Sequence, residues 1–246
     1  MGTGIGALMS LLPQARSSRF LAGALGFSAG VMLYVSFLDL MPQAVSELIG
    51  ALGSGRRAEL YAVLAFFGGI LLIALIDFLV PEKENPHEYS HPAGEKPSRS
   101  KKGGIMLALA IAIHNFPEGM ATFISALDGA AVAVPIVIAI LLHNIPEGIA
   151  VMVPVYNATG NRRKALVWSV LSGLAEPLGA IAGMMFLLPL WTPTLNAVVL
   201  AAVAGIMVYI SLDELLPSAE SHGHHHISIT FVILGMALMA LSVLMA

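Results

Sequence analysis

Apolar residues run along this chain in long blocks separated by short polar stretches. A helix needs about 20 such residues to cross the hydrocarbon core of a bilayer. The blocks predict helices at 1–13, 20–44, 60–80, 104–126, 131–153, 165–189, 195–217 and 227–246. The first is short, rising only about 18 Å against a core of about 30 Å. The expectation is that this sequence begins inside its first helix, through a downstream start codon or a truncated reading frame. Pro81 to Lys102, rich in Pro, Glu, Lys and Ser with His87 and His91, is too polar to pack a core of its own. It is expected to be a mobile cytoplasmic loop, at about 81–102, within one transmembrane domain spanning 1–246. A second polar tract, Ser221 to His226, joins the last two helices.

Composition agrees with the pattern. The chain is 57% hydrophobic and 11% charged, with a mean hydropathy of +0.85. The class expected is an all-α integral membrane protein, because a helix satisfies its own backbone where lipid cannot. A net charge of −3 says little, and no basic patch points to nucleic acid. With no cysteine, disulfides, iron–sulfur clusters and thiolate zinc sites are excluded, and any metal is held by nitrogen and oxygen. The placement of charge is more informative. All Lys and Arg except Arg56 and Arg57 fall after the first, third and fifth helices. The positive-inside rule then puts those loops in the cytoplasm and both termini outside.

One segment repeats. Ala29 to Ala44 recurs as Ala204 to Ala219 at a constant offset, both reading Ala-Gly-x-Met-x-Tyr-x-Ser. The copies lie in the second and seventh helices, which cross in opposite directions, the mark of an inverted-topology repeat. Helices one to three would mirror six to eight around a central four–five hairpin. The repeat places Asp39 near one mouth, and Asp213 with Glu214 near the other. Such residues either guide cations or are simply interfacial. Asp77 is read as interfacial or packing.

The chemistry is concentrated in two hexapeptides, His114-Asn115-Phe116-Pro117-Glu118-Gly119 and His143-Asn144-Ile145-Pro146-Glu147-Gly148. Residues four apart share a helix face, so each histidine lies beside its glutamate. A turn near Asp128-Gly129 would make the two motifs face each other. Pro117 and Pro146 lack an N–H, and kinks or partial unwinding are expected there. Glu176, in Ser172-Gly-Leu-Ala-Glu-Pro177, is a further carboxylate inside a span. A carboxylate near mid-membrane costs at least about 2.5 kcal/mol, so these groups need a shared partner, which a divalent cation supplies. Two imidazoles and two to three carboxylates suit Zn(II) or Fe(II), with Mn(II), Co(II) and Cd(II) as competitors. Asn115 and Asn144 can add neutral oxygens, so two adjacent metal positions bridged by Glu118 and Glu147 are possible on this geometry. A polar cluster that merely joins two helices is the plainer alternative. The His222 to His226 tract reads equally as a metal-collecting loop or as a solvated one.

The paired motifs, eight predicted helices and a histidine-bearing loop after the third resemble the ZIP family of divalent metal transporters, above all its bacterial ZupT-like branch. The resemblance implies a primary site of His114, Glu118, His143 and Glu147, with Asn115, Asn144 and Glu176 completing an adjacent one. It also implies uptake of zinc and other divalent ions across the cell inner membrane into the cytoplasm, with no separate cofactor. Helices one, four, five and six would move as a unit against two, three, seven and eight, in an elevator-like cycle within a homodimer. The pairs Gly26/Gly30 and Gly179/Gly183 would allow close helix approach. The rival class is a membrane metalloenzyme, a hydrolase or di-iron oxidase. Against it, the spacing here is His-x-x-x-Glu, not the Glu-x-x-His of di-iron bundles. No H-E-x-x-H motif is present, nor a phosphate-binding loop for ATP hydrolysis.

Overall fold

The structure, a computed structural model, describes residues 2–12, 17–78, 101–127, 129–190 and 192–245; the side chains of some residues within the helices, His114 among them, lie outside that description. The region of the expected loop, including His87 and His91, falls outside the described residues up to position 100. All regular structure among the described residues is helical. A short α1 (Gly2–Met9) precedes α2 (Ser18–Val35), which continues through a wide turn into α3 (Met41–Leu52). Then come α4 (Gly55–Phe78), α5 (Lys101–Leu127), α6 (Ala130–Thr159), α7 (Arg162–Gly173) and α8 (Ala175–Ala182). The chain ends with α9 (Pro193–Ile210), a wide turn, α10 (Leu216–Ser221) and α11 (His225–Met245). Six helical stretches among the described residues are long and apolar enough to cross a membrane.

Helix starts follow local chemistry. Ser17, Asn161 and Thr192 accept the backbone N–H groups of Phe20, Lys164 and Leu195, capping α2, α7 and α9. At the hairpin between α5 and α6, Gly129 has φ +102°, where a side chain would be strained. This is the turn expected from the spacing of the two motifs.

The wide turns were not anticipated. In three places among the described residues the hydrogen bond skips an extra residue: Met41 N–H to Ser36 O, Leu188 N–H to Gly183 O, and Leu216 N–H to Ser211 O. Each is followed directly by a proline, Pro42, Pro189 or Pro217. A proline ring collides with the carbonyl four residues back, and the wider turn relieves that collision. Two of these turns lie at the offset of the sequence repeat, and the Ser36 and Ser211 hydroxyls donate alike to Met32 O and Met207 O. Of the kinks or partial unwinding expected at Pro117 and Pro146, the unwinding does not occur; both helices continue through them. There the backbone is clamped by neighbouring helices, a setting in which an internal proline is tolerated.

The helices pack as two groups. In one, α1, α5 and α7 pack on α6 and α8 packs on α5, around a small core that includes Ile111, Met152 and Val155. In the other, α2 packs on α11, and α9 packs on α3 and α4, around Leu25, Met32, Phe66, Leu200 and Met207. The groups meet where α2 crosses α6 and α5 crosses α9. Within each group, glycines permit backbone contact. Gly26 and Gly30 lie against the backbone of Ser228 and Val232 of α11, and Gly179 against that of Phe116 of α5, while Gly183 meets the Phe123 ring; these approaches lie inside each group, not between the expected moving unit and the scaffold.

A polar contact missed in the sequence ties α3 to α9. Buried Asn196 donates to Glu47 Oε2 at 2.6 Å, and Gln43 donates to Glu47 Oε1 at 3.1 Å. Asn196→Ala removes a donor from a carboxylate, so the expected loss is about 1.5–3 kcal/mol, checked as a lowered Tm in detergent.

Candidate metal site

The hairpin brings the two hexapeptides together at mid-length of α5 and α6. His143 Nε2 lies 2.9 Å from Glu118 Oε1. Ligand atoms of Glu118, His143 and Glu147 all lie within 4.8 Å of one another, and the three residues are at most 1% exposed. Ligands of one zinc ion at about 2.0–2.2 Å stand up to about 4 Å apart. Small side-chain rotations would therefore close this set on a cation. Among the described residues, this is the one cluster of three or more metal-ligating groups. The side chain of His114 is outside the described residues.

Both motif asparagines are buried and oriented by donating their amides. Asn115 Nδ2 donates to Ser172 O at 3.2 Å, and Asn144 Nδ2 donates to Glu176 Oε2 at 3.1 Å. Among the described residues, the buried Oδ1 atoms of Asn115 and Asn144 find no hydrogen-bond donor. Such an oxygen is destabilising unless something electropositive faces it. Glu176 stands in the first turn of α8, just past the break at Leu174 that Pro177 imposes. It is half-buried and joined to the site through Asn144.

The backbone around the motifs is held from several sides. Ser28 of α2 donates to His143 O at 3.2 Å, and Ser169 of α7 donates to Gly148 O at 3.0 Å. Thr122 Oγ1 donates back to Glu118 O at 2.9 Å. The last residue of each motif has a packing role: a Cβ on Gly119 would land on the carbonyl oxygen of Glu176, and one on Gly148 on that of Thr3. Thus α8 and α1 press directly on the segments carrying Glu118 and Glu147. Nothing local marks Ser28, Ser169, Ser172 or Thr3, since each acts on a segment remote in sequence.

The other candidate acids are not part of this cluster. Asp39 sits half-buried on the wide turn after α2, and Asp213 and buried Glu214 sit on the equivalent turn after α9. Asp77 is hydrogen-bonded by Tyr209 of α9. In the last polar tract, His222 Nδ1 meets Ser218 O and exposed His225 Nδ1 meets Glu220 Oε2, each at 2.8 Å. These contacts shape the α10–α11 turn.

The profile of the ZIP zinc transporter family matches residues 79–242. A Streptococcus mutans protein named zinc transporter ZupT is 54% identical over 247 residues, covering 100% of this chain and 93% of the relative. Proteins of the same name from Chlorobium phaeovibrioides and Clostridium perfringens are 56% and 48% identical, again over 100% of this chain and over 94% and 92% of their own lengths.

Proposed function

The chain belongs to the ZIP zinc transporter family, and we propose that it carries zinc across the cell inner membrane into the cytoplasm through the site formed by its two hexapeptides. Family membership also decides between the two classes considered: the chain is a multi-pass membrane transporter, not an enzyme. Zinc is the cargo that the relatives' names carry. The same nitrogen and oxygen ligands accept Fe(II), Mn(II), Co(II) and Cd(II), so these are proposed as further substrates.

The observation behind this reading is the buried convergence of Glu118, His143 and Glu147. His114 would complete the primary position. The buried oxygens of Asn115 and Asn144, with Glu176, would form the adjacent one, Glu118 and Glu147 bridging the two. An apolar medium leaves two carboxylates few ways to persist side by side, and a dication neutralises both.

For the movement, the packing favours a sliding mechanism. The group α1 with α5–α8 holds every proposed ligand, and α2–α4 with α9–α11 would be the scaffold, in a homodimer. On this view eight helices cross the bilayer, termini outside, with an inverted repeat whose trace is the matched wide turns at Ser36–Leu40 and Ser211–Leu215.

Zinc uptake into proteoliposomes tests the proposal. Asn144→Ala removes one neutral ligand and the hydrogen bond it donates to Glu176, a loss expected to lower zinc affinity about tenfold without abolishing uptake. Wild-type affinity in Asn144→Ala would remove the adjacent position from the account. Metal-dependent turnover without zinc flux would overturn transport itself.

A further inference from the structure

Where the two helix groups meet, they leave a groove of about 590 Å³. One wall belongs to α5 and α8, through Phe116, Met120 and Leu178; the other belongs to α4 and α9, through Leu72 and Val199. Among the described residues, all that line it are apolar, and Leu72, Phe116 and Leu178 are exposed. Phe116 and Pro117 belong to the first hexapeptide, so the groove is level with the candidate metal site and near the middle of α5.

Three physical facts select the occupant. An apolar cavity stays dry, so water does not fill it. An empty one forfeits the dispersion contacts of its whole lining. At mid-bilayer depth the surrounding medium is hydrocarbon, and the groove is continuous through its exposed rim with the surface that meets it. Its volume falls within the range, about 300–1,000 Å³, of pockets that enclose drug-sized ligands.

We propose that this groove is a binding site for one acyl chain of a membrane lipid, and that the chain, touching both helix groups, stabilises this arrangement of them. A ligand shifts a conformational equilibrium only by binding one state better than the other. A groove whose walls come from two bodies changes shape when they move, which provides that difference. This second half rests on the sliding mechanism proposed above; occupancy of the groove does not.

The test uses the full chain reconstituted with a phosphatidylcholine bearing a diazirine midway along one acyl chain, and maps photoadducts by mass spectrometry. Adducts are expected to concentrate on Phe116, Met120 and Val199, relative to Leu64 and Ile233, which are exposed and outside the groove. Val199→Trp, with Val199→Phe as the gentler variant, fills the groove and depresses the adducts at Phe116 and Met120. Zinc uptake should then fall about tenfold, within the range by which residues outside a site shift a coupled equilibrium. Zinc binding in detergent should stay at the wild-type level, and Leu64→Trp should leave adducts and uptake unchanged. Groove adducts no stronger than those at Leu64 would overturn the site. Groove adducts displaced by either Val199 variant with uptake unchanged would overturn its influence on movement. Failure of the metal site would appear separately, as absent zinc binding in the wild-type chain.

Discussion

Glu118→Gln abolishes zinc uptake while leaving the chain folded. Glutamine keeps the shape of the side chain, so the packing around α5 is preserved, but the negative charge opposite His143 is gone. Glu118 is almost completely buried and 2.9 Å from His143 Nε2. Bulk solvent therefore cannot supply a replacement ligand or screen the cation. Outer-sphere partners of a metal are already worth about 10–100-fold in affinity, and a direct carboxylate ligand should exceed the upper end of that range. The expected result is a loss of more than about 100-fold in zinc affinity by calorimetry in detergent, no uptake in proteoliposomes, and a Tm close to wild type. Glu147→Gln should behave the same way, and Asn144→Ala far more mildly, because only the glutamates would bring charge to both positions. A folded Glu118→Gln protein with wild-type uptake would refute the site.

Gly119→Ala comes next in expected severity, although it adds only a methyl group. Replacing an exposed helical glycine by alanine ordinarily stabilises by about 0.8–1 kcal/mol. At Gly119 the new Cβ would clash with the carbonyl oxygen of Glu176, and from the other side a Cβ on Gly179 would clash with that of Phe116. Two backbones this close cannot yield through a rotamer change; α5 and α8 must separate. Overpacking of this kind costs about 1–3 kcal/mol, enough to reverse the propensity gain. The functional penalty should be larger, because the separating helices carry Glu118 and Glu176, and a working constellation tolerates only about 0.5 Å of displacement. Uptake is expected to fall more than about tenfold, with a lowered Tm, on the scale of a loosened supporting shell. Gly68→Ala is the matched control: nothing lies within 4 Å of its added Cβ, so Tm should hold or rise and uptake should persist. Equal behaviour of the two variants would show that helix proximity at Gly119 carries no functional weight.

Much of this arrangement can be read along the chain. Apolar blocks mark the helices, although the starts of three of them, capped by Ser17, Asn161 and Thr192, lie two or three residues ahead of where the blocks begin. The His-x-x-x-Glu spacing puts both ligands of a motif on one face, and Gly129, almost midway between the motifs, turns that face toward its counterpart. The prolines are less readable. Pro42, Pro189 and Pro217 follow wide turns, whereas Pro117 and Pro146 sit in unbroken helix. The residue type is the same in all five, so proline by itself does not decide which form the backbone takes.

From the amino-acid order alone follow the membrane class, the family resemblance and the pairing of Glu118 with the motif of His143, because helix periodicity and a short turn couple positions close in the chain. Packing between distant segments settled the rest: that α8 and α1 meet the motif glycines, that the Ser172 carbonyl and Glu176 orient the two asparagines, and that Ser28 reaches His143 from the other helix group. Those contacts join residues tens of positions apart, where no local spacing rule operates and only the fit of one helix surface against another selects the partner.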